Sequence, residues 1–183
     1  MLDNDFSLVY NDYNENKGGK DIMLNVKTLI KTIYNDSRYF YKQEIEGYHI
    51  FTDARIMIFI KEGTNEELYK ELSETVNRKG DIDKEYLKEV LETFLNGENN
   101  INSKYKPDNT FTLIDSENGK ITWFSSRLLA CISKRYKTGK EFVKNTPTLK
   151  HDNFRIYYKG EEDLFVTVLP VHAMGNDGVT FRK

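Results

Sequence analysis

One pattern recurs along this 183-residue chain: an amphipathic helical stretch followed by two short runs of β-branched and aromatic residues. From Leu24 the apolar positions Val26, Leu29, Ile30, Ile33 and Tyr34 keep helical spacing until Asn35-Asp36-Ser37 supplies turn chemistry. Tyr48-His49-Ile50-Phe51 and Arg55-Ile56-Met57-Ile58-Phe59-Ile60 then read as paired strands around Thr52-Asp53-Ala54, the second largely buried. In the next instance Asp83 caps a helix. Its Tyr86, Leu87, Val90, Leu91, Phe94 and Leu95 form one face, and Lys84, Glu85, Lys88, Glu89 and Glu92 form the other. A hairpin follows over 110–114 and 120–124, because Asn118-Gly119 takes the positive φ angles of a tight turn. In the third instance Ser125 or Ser126 caps a helix through Leu128, Leu129, Ile132 and Tyr136, ending near Gly139. Strands over 154–158 and 164–169 close the series at Pro170. Three such units at irregular spacing predict a single α+β domain, with a mixed or antiparallel sheet and helices on one face, and not a solenoid.

Two segments depart from the pattern. Residues 1–21 carry Asp3, Asp5, Asp12, Glu15 and Asp21 around Gly18-Gly19 and predict a flexible acidic arm ahead of a domain over 22–183. Residues 64–98 predict an acidic helical module inserted in that domain, its first helix opened by a Thr64 and Glu67 capping box and striped by Leu68, Leu72 and Val76. Aromatics at 13% and hydrophobics at 38% give the chain enough large apolar groups to fold despite 31% charged residues. Cys131 is the single cysteine, so no internal disulfide and no cysteine-based zinc site can form, and a reducing cytoplasm is the expected compartment. No apolar run reaches the roughly 18 residues of a membrane span.

Motifs that carry chemistry are incomplete. His49 lies at a strand start, His151 is followed by Asp152 in a loop and His172 follows the last strand, and none has the local context of a catalytic base or a metal ligand. Gly19-Lys20 and Gly139-Lys140 lack the second glycine of a phosphate loop, and Asp21 and Glu141 stand where its Ser or Thr belongs. Asp115, Glu117 and Lys120 match the residue types of a magnesium-dependent nuclease, but they flank a solvated hairpin tip that is expected to hold ligands poorly.

Charge is the most informative feature. The net charge is −2, yet Glu62 to Glu98 holds eleven acidic and five basic residues, while Arg127 to Lys150 holds seven basic residues and only Glu141 as an acid. A basic stretch interleaved with Tyr136 and Phe142 can meet phosphates, and an acidic helix can compete for a basic nucleic-acid groove on another protein. The other reading is two solvated faces that attract each other.

Two resemblances bear on function. The stretch 25–60, where a helix leads into Gly47-Tyr48-His49-Ile50-Phe51-Thr52-Asp53-Ala54-Arg55, resembles the start of a DNA sliding-clamp domain, with its helix, strand and Thr-Asp-containing turn. Leu169-Pro170-Val171 resembles the Leu-Pro or Met-Pro ending of bacterial clamps. That resemblance implies a ring closed by oligomerisation and basic helices facing inward, whereas the helix over 83–96 is acidic. A small Asn-, Lys- and Tyr-rich chain with an acidic helical module is similar in type to phage-encoded anti-CRISPR proteins. That similarity implies occupation of a nucleic-acid or PAM-reading groove of an RNA-guided nuclease, or a block at a conformational checkpoint.

The sequence therefore predicts a non-enzymatic, anti-CRISPR-type inhibitor of a type II nuclease, acting without cofactor or metal. Glu67, Glu71, Glu74, Glu85, Glu89 and Glu92 are expected to meet the enzyme's basic channel. Arg127, Lys134, Arg135, Lys137, Lys140 and Lys144 are expected to touch its guide or target strand. The alternatives are a clamp-like replication protein of a phage or plasmid, and a metal-dependent nuclease.

Overall fold

The computed structural model describes residues 23–36, 39–96, 101–105, 111–116, 121–133, 141–144 and 155–170. The predicted acidic arm lies outside them. Helix α1 (Val26–Asp36) opens where Asn25 Oδ1 accepts from Thr28 N at 3.1 Å, and it buries Val26, Leu29 and Ile33. Strands β1 (Tyr41–Ile45) and β2 (Tyr48–Thr52) are joined by Glu46 and Gly47, with φ of 47° and 78°. Two positive φ angles in a two-residue loop match the twist of a tight hairpin. Strand β3 (Ile56–Lys61) completes a meander, and every residue of it but Lys61 is buried.

Helix α2 (Glu66–Thr75), strand β4 (Arg78–Lys79) and helix α3 (Lys84–Asn96) follow. The Thr64 and Glu67 capping box does not form. Asn65 caps α2 in a left-handed conformation without a side-chain cap bond, and Thr64 Oγ1 donates to Lys61 O at 2.8 Å, which ties it to the preceding turn. Asp83 does cap α3, accepting from Tyr86 N at 2.9 Å. Strands β5 (Ile101–Tyr105), β6 (Phe111–Ser116) and β7 (Ile121–Ser125) form a separate antiparallel sheet. Helix α4 (Ser126–Ala130), capped by Ser125, precedes β8 (Glu141–Lys144), β9 (Arg155–Lys159) and β10 (Leu164–Val168).

The main sheet is mixed, in the order β4-β1-β2-β3-β10-β9-β8, with the β1 and β4 pair parallel and all others antiparallel. Strand alternation sorts the core onto its two faces. Ile56, Ile58 and Ile60 of β3, with Leu164, Val166 and Val168 of β10, meet Leu29, Ile33, Leu72, Leu128 and Leu129. Met57, Phe59 and Phe165 point the other way, to Leu87, Val90 and Leu91. Helices α1, α2 and α4 thus cover one face and α3 the opposite one, which corrects the expectation that all helices share a face. The physical reason lies in the central strands: apolar residues at every position need cover on both sides. Each such buried side chain stabilises the fold by about 1.5–3 kcal/mol.

Two further expectations change. Helix α4 stops at Ala130, well short of Gly139, because Leu24 and Ile132 form an antiparallel bridge: Asn25 N donates to Cys131 O at 2.8 Å and Ser133 N to Met23 O at 2.9 Å. Leu95, assigned to the apolar face of α3, is 59% exposed. Among the described residues no helix is long and apolar enough to cross a membrane.

The topology contains a duplication. Helix α1 leads into the meander β1-β2-β3, and α4 leads into β8-β9-β10. The antiparallel pairing of β3 with β10, with Ile58 opposite Val166, joins the two meanders about an approximate two-fold axis normal to the sheet.

Candidate functional site

Helices α4, α1 and α2 lie side by side on one face, and their exposed residues change sign across it. Leu72, with Leu68, Tyr69 and Val76 beside it, anchors α2 to the core and leaves Glu66, Glu67, Glu71 and Glu74 exposed. Lys70 is the one cation on that helix. Tyr34 fastens α1 to α2, its hydroxyl donating to Thr75 O at 2.8 Å. On α1 the exposed charges of the first two turns are Lys27 and Lys31, and α4 adds Arg127, whose side chain is 66% exposed.

The basic side is held in place through the turn after β2. The Asp53 carboxylate is fully buried, and its Oδ1 accepts from Arg55 N at 2.9 Å and Ile56 N at 3.1 Å. Its Oδ2 accepts from Arg55 Nε at 2.8 Å and also from Nη2. Arg55 Nη1 reaches Asp36 Oδ2 at 3.0 Å, and Arg127 Nη1 reaches Asp36 Oδ1 at 3.4 Å. Asp36 ends α1, where the helix dipole disfavours an acid, and two guanidinium groups offset that cost. Burial draws the Arg55 guanidinium down, but its bonds to Asp53 and Asp36 outweigh this and hold it above its ordinary value.

The six acidic candidates do not come together. Glu67, Glu71 and Glu74 belong to α2, whereas Glu85, Glu89 and Glu92 belong to α3 behind the sheet. Glu85 also lies 3.4 Å from Lys88, which approaches Glu46 at 3.8 Å. Of the basic candidates Arg127 joins the helical layer, and Lys144 lies on β8, the far edge strand. Lys134, Arg135, Lys137 and Lys140 lie outside the described residues, as do Glu117, Lys120, His151 and His172. Asp115 pairs with Ile121 in the small sheet. Among the described residues no three His, Cys, Asp or Glu side chains cluster as a metal site.

A second cluster has no counterpart in the sequence reading. Lys42 and Glu44 of β1 and His49 of β2 share the face covered by α2, because Glu44 stands opposite His49 in the ladder. Lys42 Nζ donates to Tyr69 Oη at 2.6 Å and lies 3.3 Å from Glu44 Oε1. His49 Nδ1 is 3.0 Å from the same oxygen at an angle that misses hydrogen-bond geometry, and its ring packs 4.5 Å from that of Tyr69. The bond from Lys42 holds the Tyr69 phenol below its ordinary value and the Glu44 carboxyl below its own. For Lys42 burial acts downward, but its bonds to Tyr69 and Glu44 outweigh it and raise the ammonium. The available signal was Glu46-Gly47 between Ile45 and Tyr48, a two-residue hairpin turn that implies a strand over 41–45. Compared with protein-family models, curated proteins and solved structures, the chain matches none.

Proposed function

We propose that the protein is a non-enzymatic inhibitor of a nucleic-acid enzyme, of the anti-CRISPR kind, that docks through the helical layer of α4, α1 and α2. The change of sign across that layer carries the reading. The carboxylates of α2 suit a basic protein channel, and Lys27, Lys31 and Arg127 suit the phosphates of a strand held beside it. Both signs on one face fit a nucleoprotein better than bare protein or bare nucleic acid. The carboxylates of α3, on the opposite face, take no part.

The test is inhibition of target cleavage by a panel of type II RNA-guided nucleases. Saturable inhibition near equimolar protein is expected. Glu67→Lys, Glu71→Lys and Glu74→Lys together should raise the half-inhibitory concentration about tenfold or more, since three charge contacts of about 0.5–1 kcal/mol each are reversed. The same reversal at Glu85, Glu89 and Glu92 should change it little. Equal effects from the two triple variants refute docking through this layer.

A second reading, a clamp-like DNA-associated replication protein, is favoured by the duplicated helix and meander with α1 and α4 on a common face. The acidic helix over 83–96 does not stand against it, because α3 lies on the other side of the sheet. It predicts an oligomer in solution and salt-sensitive binding to duplex DNA with no nuclease present. A monomer that ignores duplex DNA at low salt refutes it.

A further inference from the structure

The acidic module contains a basic edge. Between α2 and α3 the chain adds β4 to the outside of β1, and Arg78 and Lys79 are both exposed there. A two-residue strand buries almost nothing of its own, yet it is fixed at both ends. Phe40 N donates to Asn77 Oδ1 at 3.0 Å, and Phe40 O accepts from Asn77 N and Arg78 N at 3.1 and 3.3 Å. Further on, Gln43 Nε2 donates to Ile82 O at 2.7 Å and Gln43 Oε1 accepts from Ile82 N at 3.0 Å, so one amide side chain continues the ladder. Gly80 N donates to Lys42 O at 3.1 Å, and a Cβ on Gly80 would stand 2.9 Å from Gln43 Oε1. The same Cβ would stand 3.0 Å from Lys42 O, so a larger residue would have to push the Gln43 amide off Ile82 and crowd the ladder.

This fixed edge carries cations on both of its faces, Arg78 opposite Tyr41 and Lys79 opposite Lys42 in the register, with the aromatic rings beside Arg78. The Arg78 guanidinium lies 3.7 Å from the centroid of the Tyr39 ring, Tyr39 is 42% exposed, and the Tyr41 ring is 6.4 Å from it. Lys79 stands opposite Lys42 in the parallel register. Residues 42–44 and 76–80 line a shallow, open groove of about 620 Å³. Its one carboxylate, Glu44, already faces Lys42 and His49, and among the described residues no ion pair engages Arg78 or Lys79.

We propose that the edge formed by β1 and β4 binds single-stranded nucleic acid, with Arg78 and Lys79 on successive phosphates and a base stacked on Tyr39. Cations beside an exposed ring backed by a guanidinium are the combination that single strands use: the charges follow the backbone, and the π-face accepts any base. A duplex has its bases stacked inside and offers the ring nothing. The site lies at the sheet edge, apart from the cations of α1 and α4, and does not rest on the inhibitor reading.

The experiment is fluorescence anisotropy of a labelled oligothymidine of about 12 nucleotides, a length suited to one small site. Arg78→Glu with Lys79→Glu should weaken binding about tenfold or more and make the slope of log affinity against log salt shallower by about 1.4, the share of two single-strand phosphates. Tyr39→Ala should weaken binding about fivefold or more without changing that slope. Thermal midpoints without oligonucleotide check the fold, and Arg78→Gln with Lys79→Gln replaces the double reversal if it unfolds. Glu67→Lys, Glu71→Lys and Glu74→Lys should leave oligothymidine binding no weaker, which separates this site from the docking reading. Unchanged affinity and slope in a folded Arg78 and Lys79 variant overturns the proposal, as does equally tight binding of a duplex of the same length.

Discussion

Replacement of Asp53 by alanine tests the turn that positions the basic side of the helical layer. The carboxylate is fully buried and accepts from two backbone amides and from the Arg55 guanidinium. Alanine leaves the Arg55 and Ile56 N–H groups without that acceptor and leaves a guanidinium only 34% exposed with Asp36 as its remaining ion-pair partner among the described residues. Losing this buried carboxylate costs about 3–5 kcal/mol, because two amide N–H groups and two of the guanidinium's bonds are left without their acceptor. Domains of this kind have about 5–15 kcal/mol in all, so the variant should lose between about a fifth of its stability and the whole of it. Asparagine keeps an acceptor for the amides and loses the charge, so a smaller loss of about 1–3 kcal/mol is expected. Urea unfolding followed by far-UV circular dichroism reads both, and at about 2–4 °C per kcal/mol the alanine variant should melt roughly 6–20 °C lower. An Asp53→Ala protein within about 1 kcal/mol of the parent refutes the assignment of the turn as a structural lock.

Two further perturbations address the layers and the second cluster. Leu72→Ala under α2 and Leu87→Ala under α3 should each cost about 2–5 kcal/mol in urea unfolding, since both side chains are fully buried, on opposite faces of one sheet. A loss under 1 kcal/mol at either one refutes the packing of that helix, given about 2 kcal/mol as the floor for such deletions. Tyr69 has a lowered folded pKa relative to 10.0, so its share of stability grows as pH rises through that folded value and is complete above the unfolded one. Lys42 is raised relative to 10.5, so its share is complete below that value and is lost as pH rises through the folded one. The contact therefore contributes in full between pH 10.0 and 10.5 and fades as pH passes either folded value. In a ¹³C titration of tyrosine Cζ, Lys42→Met should move the Tyr69 midpoint upward, and an unmoved midpoint refutes the coupling.

What was legible in the sequence followed from periodicity. The stripe of Val26, Leu29 and Ile33, the run from Ile56 to Ile60 and the hairpin of β9 and β10 appear where their patterns put them, because each buries a face that only one secondary structure can present. Strand β1 was missed because Tyr-Lys-Gln-Glu-Ile alternates weakly, its outward positions meeting a helix through charge instead of apolar contact. The length of α4 was misjudged because Ile132 continues a helical stripe, while the backbone on either side of it, at Cys131 and Ser133, is held by Asn25 and Met23, more than a hundred residues away. No local pattern reports such a partner. The alternation within β3 did contain the second helical layer, since Met57 and Phe59 are as apolar as their neighbours and need their own cover.

The same sorting of faces decides what the charged segments can do. Read along the chain, residues 64–98 form one acidic block. Folded, that block divides into a helix on the front, a helix on the back and a cationic strand at the edge between them. Net charge by segment therefore misstates the surface a partner meets: α2 borders the lysines of α1, and Arg78 and Lys79 interrupt what the sequence presents as continuous acid. A partner that recognised acidic character alone would have two separate patches to choose from, on opposite sides of the sheet. On α3 the lysines Lys84 and Lys88 alternate with the acids along one helix, whereas the layer of α4, α1 and α2 sets its carboxylates and its cations on neighbouring helices. A basic wall beside a phosphate backbone would meet the two signs side by side, which is why, under the proposed docking, α2 and not α3 is the helix whose reversal distinguishes the readings.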